Sequence, residues 1–362
     1  MVRVMQRIKV LIIQEDLKNY RDPIYSIIAE SVDLTVAYTV STEFQESSYP
    51  VIKLPYYRLG KIIWHKGLYK LLRKYDVVIY PPHLKMIKLT MSPFFLNKPK
   101  FVPWSIGLHV SYNRQYDLGR APAFIDYFYE FLQDHADARL FYTKDVVEYW
   151  KKHKKLDESK CFVAHNTVKV ENSKSPYPYD KKDSFLFVGT LYKQKGLGEL
   201  LEAYAMAYAR NNDLPNLEVI GNGPERLTLG KLAKDLGIID KIRFEGPIYD
   251  ENILSEFFNK AILCISPKQA GLSVLKSFGY GVPFVTRHDA ITGGERNNII
   301  DGYNGLYYDS INQLSDILID STTNIKKYSS LSLNAYDYYC KNATPENMAQ
   351  GVIDAIKYVL SN

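Results

Sequence analysis

Cysteine is scarce: Cys161, Cys264 and Cys340 are the only three. An odd number so widely spaced makes neither a disulfide framework nor a Cys-x-x-Cys metal knuckle, and it fits a reducing compartment. Long apolar runs are also missing. No stretch approaches the roughly 18–20 apolar residues of a membrane-spanning helix. The first apolar run, Val10–Ile13, is too short for the core of a signal peptide and reads as a buried strand. No short-period repeat is found. Acid is missing from one segment: residues 51–100 hold eleven Lys and Arg against a single Asp76. The whole chain is only +6, so the remainder is net acidic. What is present is ordinary for a folded protein. With 46% hydrophobic and 24% charged residues over a length of 362, the chain is globular rather than disordered and long enough for two domains.

The basic segment interleaves its cations with Tyr56, Tyr57, Trp64, Tyr69 and Tyr75. Lys61–Tyr75 is expected to be a helix, with Ile62, Leu68, Tyr69 and Leu72 at near-helical spacing. A basic helix with an aromatic and aliphatic face suits an anionic membrane surface. It would also suit nucleic acid, or pack on the core and meet no partner.

Short apolar strands alternate with helices along the chain, which implies parallel α/β architecture. Lys9–Ile13, Leu34–Tyr38, Asp76–Tyr80, Lys100–Trp104, Arg139–Thr143 and Cys161–Ala164 are the strands expected in a first half. Asn172–Asp183 then breaks the pattern with a polar stretch holding two prolines, a linker composition. A second alternation follows, with strands at Ser184–Gly189, Leu217–Ile220, Ile242–Glu245, Ile262–Ile265, Pro283–Thr286 and Gly305–Tyr308. Helices over Ile311–Thr322 and Pro345–Leu360 are expected to close the chain. The domains expected are 1–172, a linker at 173–183, 184–342, and a final helix 343–362 that returns toward the first domain.

Three stretches carry chemistry. In FVGTLYKQKG a buried strand ends at Gly189, where the missing side chain lets a ligand approach the backbone. Ligands of open parallel sheets bind beyond the carboxyl ends of the strands, so Lys195 stands where it would neutralise a phosphate. In SPKQAGLSVLKSFGYGVP, Gly271, Leu272 and Ser273 open a short helix whose first amides suit an anion. In TGGERNNIIDGYNG, glycines at 293 and 294, then at 302 and 305, set tight loops beside the last strand.

Taken in order with GNGP (Gly221–Pro224) and FEG (Phe244–Gly246), these stretches resemble the second domain of family 4 glycosyltransferases. The resemblance is strong over roughly residues 184–310. It is fainter in the first half, through NYRDPIYSIIAE, WSIG and FVAHNTV. It implies the GT-B fold: two Rossmann-like domains facing across a cleft, a nucleotide sugar on the second domain and an acceptor on the first. The implied reaction moves a hexose-type sugar to a glycan, lipid-linked, in surface polysaccharide or glycoconjugate synthesis, with retention of anomeric configuration. The implied requirements are no metal and no cofactor beyond a UDP- or GDP-sugar co-substrate, and no nucleic acid partner. The basic, aromatic segment 51–100 lies in the acceptor half, which points to the lipid-linked acceptor and to a cytoplasmic chain peripheral on the inner face of the cell membrane.

One family feature is missing. The glutamates of its E-x7-E motif are here Lys268 and Lys276, and lysine has no acceptor with which to hold a hydroxyl. The family's arginine after the first glycine is Thr190. A related subgroup also lacks both acids, so their loss is compatible with activity. The resemblance then points to Gly189, Thr190, Lys195, Gly221, Gly223, Ile248, Gly271, Leu272, Ser273 and Lys276 for the nucleotide. Lys195, His109 and Glu295 are the catalytic candidates, and Tyr20, Arg21 and Lys268 are candidates for acceptor or donor-sugar contact. A catalytically degenerate binding subunit and a nucleotide-sugar epimerase are the competing readings.

Overall fold

The computed structural model describes residues 7–107, 124–153, 157–175 and 177–362. The chain divides into two units. One comprises Met1–Asn166 and Thr344–Asn362, the other Thr167–Ala343.

The strands of the first unit are β1 (Lys9–Leu17), β2 (Asp33–Thr42), β3 (Val51–Lys53), β4 (Tyr56–Leu59), β5 (Ile62–His65), β6 (Val77–Tyr80), β7 (Lys100–Ser105), β8 (Arg139–Phe141) and β9 (Cys161–Val163). Seven of them form a parallel sheet in the order β3-β2-β1-β6-β7-β8-β9. Val10–Ile13 are fully buried because helices cover both faces of a parallel sheet, so a central strand is apolar on both sides. The winding direction reverses between β1 and β6, and the chain leaves β1 through Lys18–Arg21 at that reversal. The helix Pro345–Ser361 belongs to this unit and buries Met348, Val352, Ile356 and Val359 in its core. Gly351 makes that packing possible: a Cβ there would come 2.0 Å from the carbonyl oxygen of Val163.

The helix expected over Lys61–Tyr75 is corrected. Only Leu68–Leu72 is helical, and β5 pairs antiparallel with β4 as a hairpin. Gly60 and Gly67 both take left-handed φ, at 57° and 59°, and bracket a run of Ile-Ile-Trp. Branched and aromatic side chains between two turn glycines favour a strand over a helix. The burial then alternates with period two: Ile63 and His65 in, Ile62 and Trp64 out.

The second unit has β10 (Ser184–Val188), β11 (Asn216–Ile220), β12 (Ile242–Gly246), β13 (Ala261–Ile265), β14 (Gln269–Ala270), β15 (Phe284–Arg287), β16 (Ile291–Thr292) and β17 (Gly305–Tyr308). Six make a parallel sheet in the order β12-β11-β10-β13-β15-β17, with its reversal between β10 and β13. Phe185 and Phe187 face one core layer, and Leu186 and Cys264 face the other. β14 and β16 form a separate parallel ladder that sets Ala270 opposite Thr292. A helix unforeseen from the sequence, Ile325–Asn342, packs against this unit through Tyr328, Leu331, Ser332, Ala335 and Tyr339. Tyrosine and serine hold three of these five buried positions, so its apolar periodicity is weak. Among the described residues no helix is long and apolar enough to cross a membrane.

Candidate functional site

Beyond the carboxyl ends of β10 and β11 the backbone closes into a narrow floor. Gly189 donates its amide to Ile220 O at 2.9 Å, and Gly221 donates to Gly246 O at 2.8 Å. A Cβ on Gly221 would stand 2.0 Å from Gly189 O, and one on Gly223 would stand 2.4 Å from Leu191 O. These glycines are therefore required by backbone approach, whatever else binds there. Leu191 also pairs with Asn222 O and accepts from Glu225 N, which ties the two loops together.

Lys195 ends a 3-10 turn, Lys193–Lys195, and folds back over this floor. Its Cε and Nζ would lie 3.2 and 3.5 Å from a Cβ on Gly189. Burial pushes the pKa of its amine below the ordinary lysine value, while Cys264 and Glu295 act the other way. A half-buried ammonium attracts an anion more strongly than a solvated one. Thr190, beside it, is exposed.

The remaining candidates of this unit sort into separate environments. Lys268 follows β13 and lies against the site loop, its amide donating to Lys195 O at 3.2 Å. Its ammonium stands 3.4 Å from Glu199, a buried carboxylate that also receives Arg287 at 3.1 Å and the Tyr308 hydroxyl at 3.0 Å. Lys276 holds both oxygens of Glu251, at 2.6 and 2.7 Å. Glu251 opens the helix after β12, a few residues beyond half-buried Ile248, so a carboxylate does stand at this edge although the motif position carries lysine. Glu295 is buried and turned into its own loop, where Gly293 N donates to it at 2.9 Å. The β14–β16 ladder places the Gly271–Ser273 turn beside that loop. The hydroxyl of Ser273 is buried with no hydrogen-bond partner among the described residues, and such a group is uncommon in native interiors.

In the first unit Arg21 is buried. Its guanidinium carbon lies 5.1 Å from the ring centres of Tyr20 and Tyr142 and 5.3 Å from that of Trp104. It donates to the Tyr142 hydroxyl at 3.1 Å and to Met348 Sδ at 3.3 Å. Those contacts fasten the end of β1 to the carboxy-terminal helix. His109 lies outside the described residues.

Sequence reasoning missed three participants. Tyr192 donates to Gln269 Oε1 at 2.5 Å and bridges the site loop to β14. Glu199 and Glu251 bind the two lysines. Glu199 reads in sequence as an ordinary first-turn acid and Glu251 as the start of a helix, so neither announces a partner.

Residues 168–338 match the family model described as "Glycosyl transferases group 1", a little less than half of the chain. The lipopolysaccharide core biosynthesis glycosyltransferase LpsE of Rhizobium meliloti is 31% identical over 144 residues, 39% of each chain. An uncharacterized glycosyltransferase of Haemophilus influenzae is 28% identical over 131 residues, 34% of this chain and 36% of its own. The chain thus matches well under half the length of these relatives. Solved structures match throughout. HepE of Anabaena, in complex with UDP, aligns with a TM-score of 0.68 at 14% identity over 97% of this chain and all of its own. The lipopolysaccharide outer core galactosyltransferase WaaB, in its apo form, aligns at 0.69 and 16% over 97% and 99%. The fold is GT-B, built from two Rossmann-like α/β units, as the motifs implied.

Proposed function

We propose that this protein is a glycosyltransferase that moves a hexose-type sugar from a UDP- or GDP-sugar to a glycan, lipid-linked, in lipopolysaccharide or related surface-glycan synthesis at a membrane face. One observation carries the reading: a half-buried lysine, Lys195, poised over the Gly189–Gly221–Gly223 floor, whose Gly189 ends β10, the strand from which the winding of the second unit's sheet reverses toward β13. Diphosphates bind at such reversals, against backbone that lacks side chains. The unpartnered Ser273 hydroxyl beside the Gly271 turn offers a further donor. The UDP complexes of HepE, one with UDP-glucose, support a uridine nucleotide.

In the proposed reaction an acceptor hydroxyl oxygen bonds to the anomeric carbon as the bond from that carbon to the diphosphate oxygen breaks. The acceptor proton passes to the leaving phosphate, so no protein base of tuned pKa is needed. Lys195 offsets the charge that grows on the diphosphate. Glu251, held by Lys276, supplies acceptor oxygens to nucleotide hydroxyls that a lysine alone would not serve. Retention of configuration follows the family resemblance.

The test is incubation with labelled UDP- and GDP-hexoses and a membrane glycolipid extract. Labelled glycolipid whose new linkage has the donor's anomeric configuration is expected. Conversion of the nucleotide sugar with no acceptor present would instead identify an epimerase. Binding without turnover on any extract would identify a degenerate binding subunit.

A further inference from the structure

The hairpin that replaces the expected basic helix has two unlike faces. Ile63 and His65 point inward, each 1% exposed. On the other face Tyr57 pairs with Trp64 and Leu59 with Ile62, and these four are 42–68% exposed. A contiguous apolar face left in water marks an interaction surface.

Cations border it. Lys66 Nζ stands 4.0 Å over the Tyr57 ring, and Lys88 Nζ lies 5.2 Å from the centre of Trp64. Lys66 also belongs to a recess of about 300 Å³, edged by Lys53, Lys70 and Lys74 and walled by the buried Leu54 and Leu68. The only acid of residues 51–100, Asp76, is taken by the backbone amide of Lys9 at 2.8 Å. None of these four lysines has a carboxylate partner among the described residues.

We propose that this surface docks on an anionic lipid bilayer, with the phosphate of an acidic phospholipid in the lysine recess and Tyr57, Leu59, Ile62 and Trp64 in the interfacial layer. Charge and shape choose the occupant. Unpaired lysines around an apolar-walled recess complement a phosphate that carries acyl chains. Aromatic rings beside aliphatic side chains match the boundary between headgroups and hydrocarbon. Leu59 and Ile62 have no ring on which a nucleic acid base would stack. The inference names the residues behind the membrane location proposed above, and it stands without the transfer reading, because docking needs no nucleotide.

The test is sedimentation of the full chain with vesicles of phosphatidylcholine alone and of equimolar phosphatidylcholine and phosphatidylglycerol. Binding to the acidic vesicles only, weakening as salt rises, is expected. Each lysine near an anionic surface is worth about fivefold, so the triple variant Lys66→Gln, Lys70→Gln, Lys74→Gln should bind roughly a hundredfold more weakly. Leu59→Ser with Trp64→Ser should abolish the binding that survives high salt. Unchanged urea midpoints show that the variants are folded. Equal binding to neutral vesicles, or full binding by the triple variant, overturns the proposal. So does displacement from vesicles by soluble glycerol phosphate at millimolar concentration, which would make the recess a site for a free phosphate ester. Lysine-dependent binding of a labelled RNA oligonucleotide without vesicle binding would overturn it in favour of nucleic acid.

Discussion

At Lys195 burial and function oppose each other. Desolvation lowers its pKa, so its charge is lost on raising the pH earlier than that of a solvated lysine. Nucleotide affinity should therefore fall as pH rises through that lowered value. Lys195→Arg, which does not titrate in this range, should hold its affinity there; titration calorimetry across pH checks both, and a flat wild-type profile contradicts the assignment. A second buried lysine affects stability instead. Lys182 donates to Asn259 O at 3.2 Å and Ala261 O at 3.0 Å, and burial lowers its pKa to about 7. Between that value and the ordinary 10.5 the unfolded chain binds a proton that the folded chain does not. Folding stability from this group therefore rises with pH across that window. The neutral amine still has hydrogens for both carbonyls. Urea titrations of Lys182→Met should show a flatter rise than wild type.

At the scale of elements, most strands and helices were legible because apolar runs in a doubly wound fold are short, buried on both faces and separated by turns. β17 and the last helix, Pro345–Ser361, fall where the pattern put them. The pattern failed where tertiary packing overrode it. Lys61–Tyr75 has cations and apolar residues at helical spacing, but two left-handed glycines cut the run and the Ile-Ile-Trp core pairs as a strand. The helix Ile325–Asn342 buries tyrosine and serine, so its face does not read as apolar. The floor of the candidate site was legible through its glycines, whereas the Lys276–Glu251 pair joins residues 25 apart with no local signature. The close contact of the last helix offers a clean check. Gly351→Ala puts a Cβ 2.0 Å from Val163 O, and should lower stability by about 1–3 kcal/mol, as overpacking does. An unchanged denaturation midpoint would show that the helix shifts freely on β9.

At the scale of the molecule, the chain begins the first unit, completes the second and then supplies the first with its last helix. Removal of residues 345–361 would strip Met348, Val352, Ile356 and Val359 from that unit's core. The truncated chain should expose its first unit to protease while Thr167–Ala343 stays resistant. The candidate donor floor belongs wholly to the second unit, so nucleotide binding is the property that tests the account most directly. The measurement is titration calorimetry of the full chain with UDP and GDP, repeated on Lys195→Ala. One nucleotide should bind, and the substitution should weaken it by roughly 10–100-fold, the worth of a charge-assisted hydrogen bond. Equal affinity in Lys195→Ala, or no binding of either nucleotide, would contradict the assignment of this floor as a donor site.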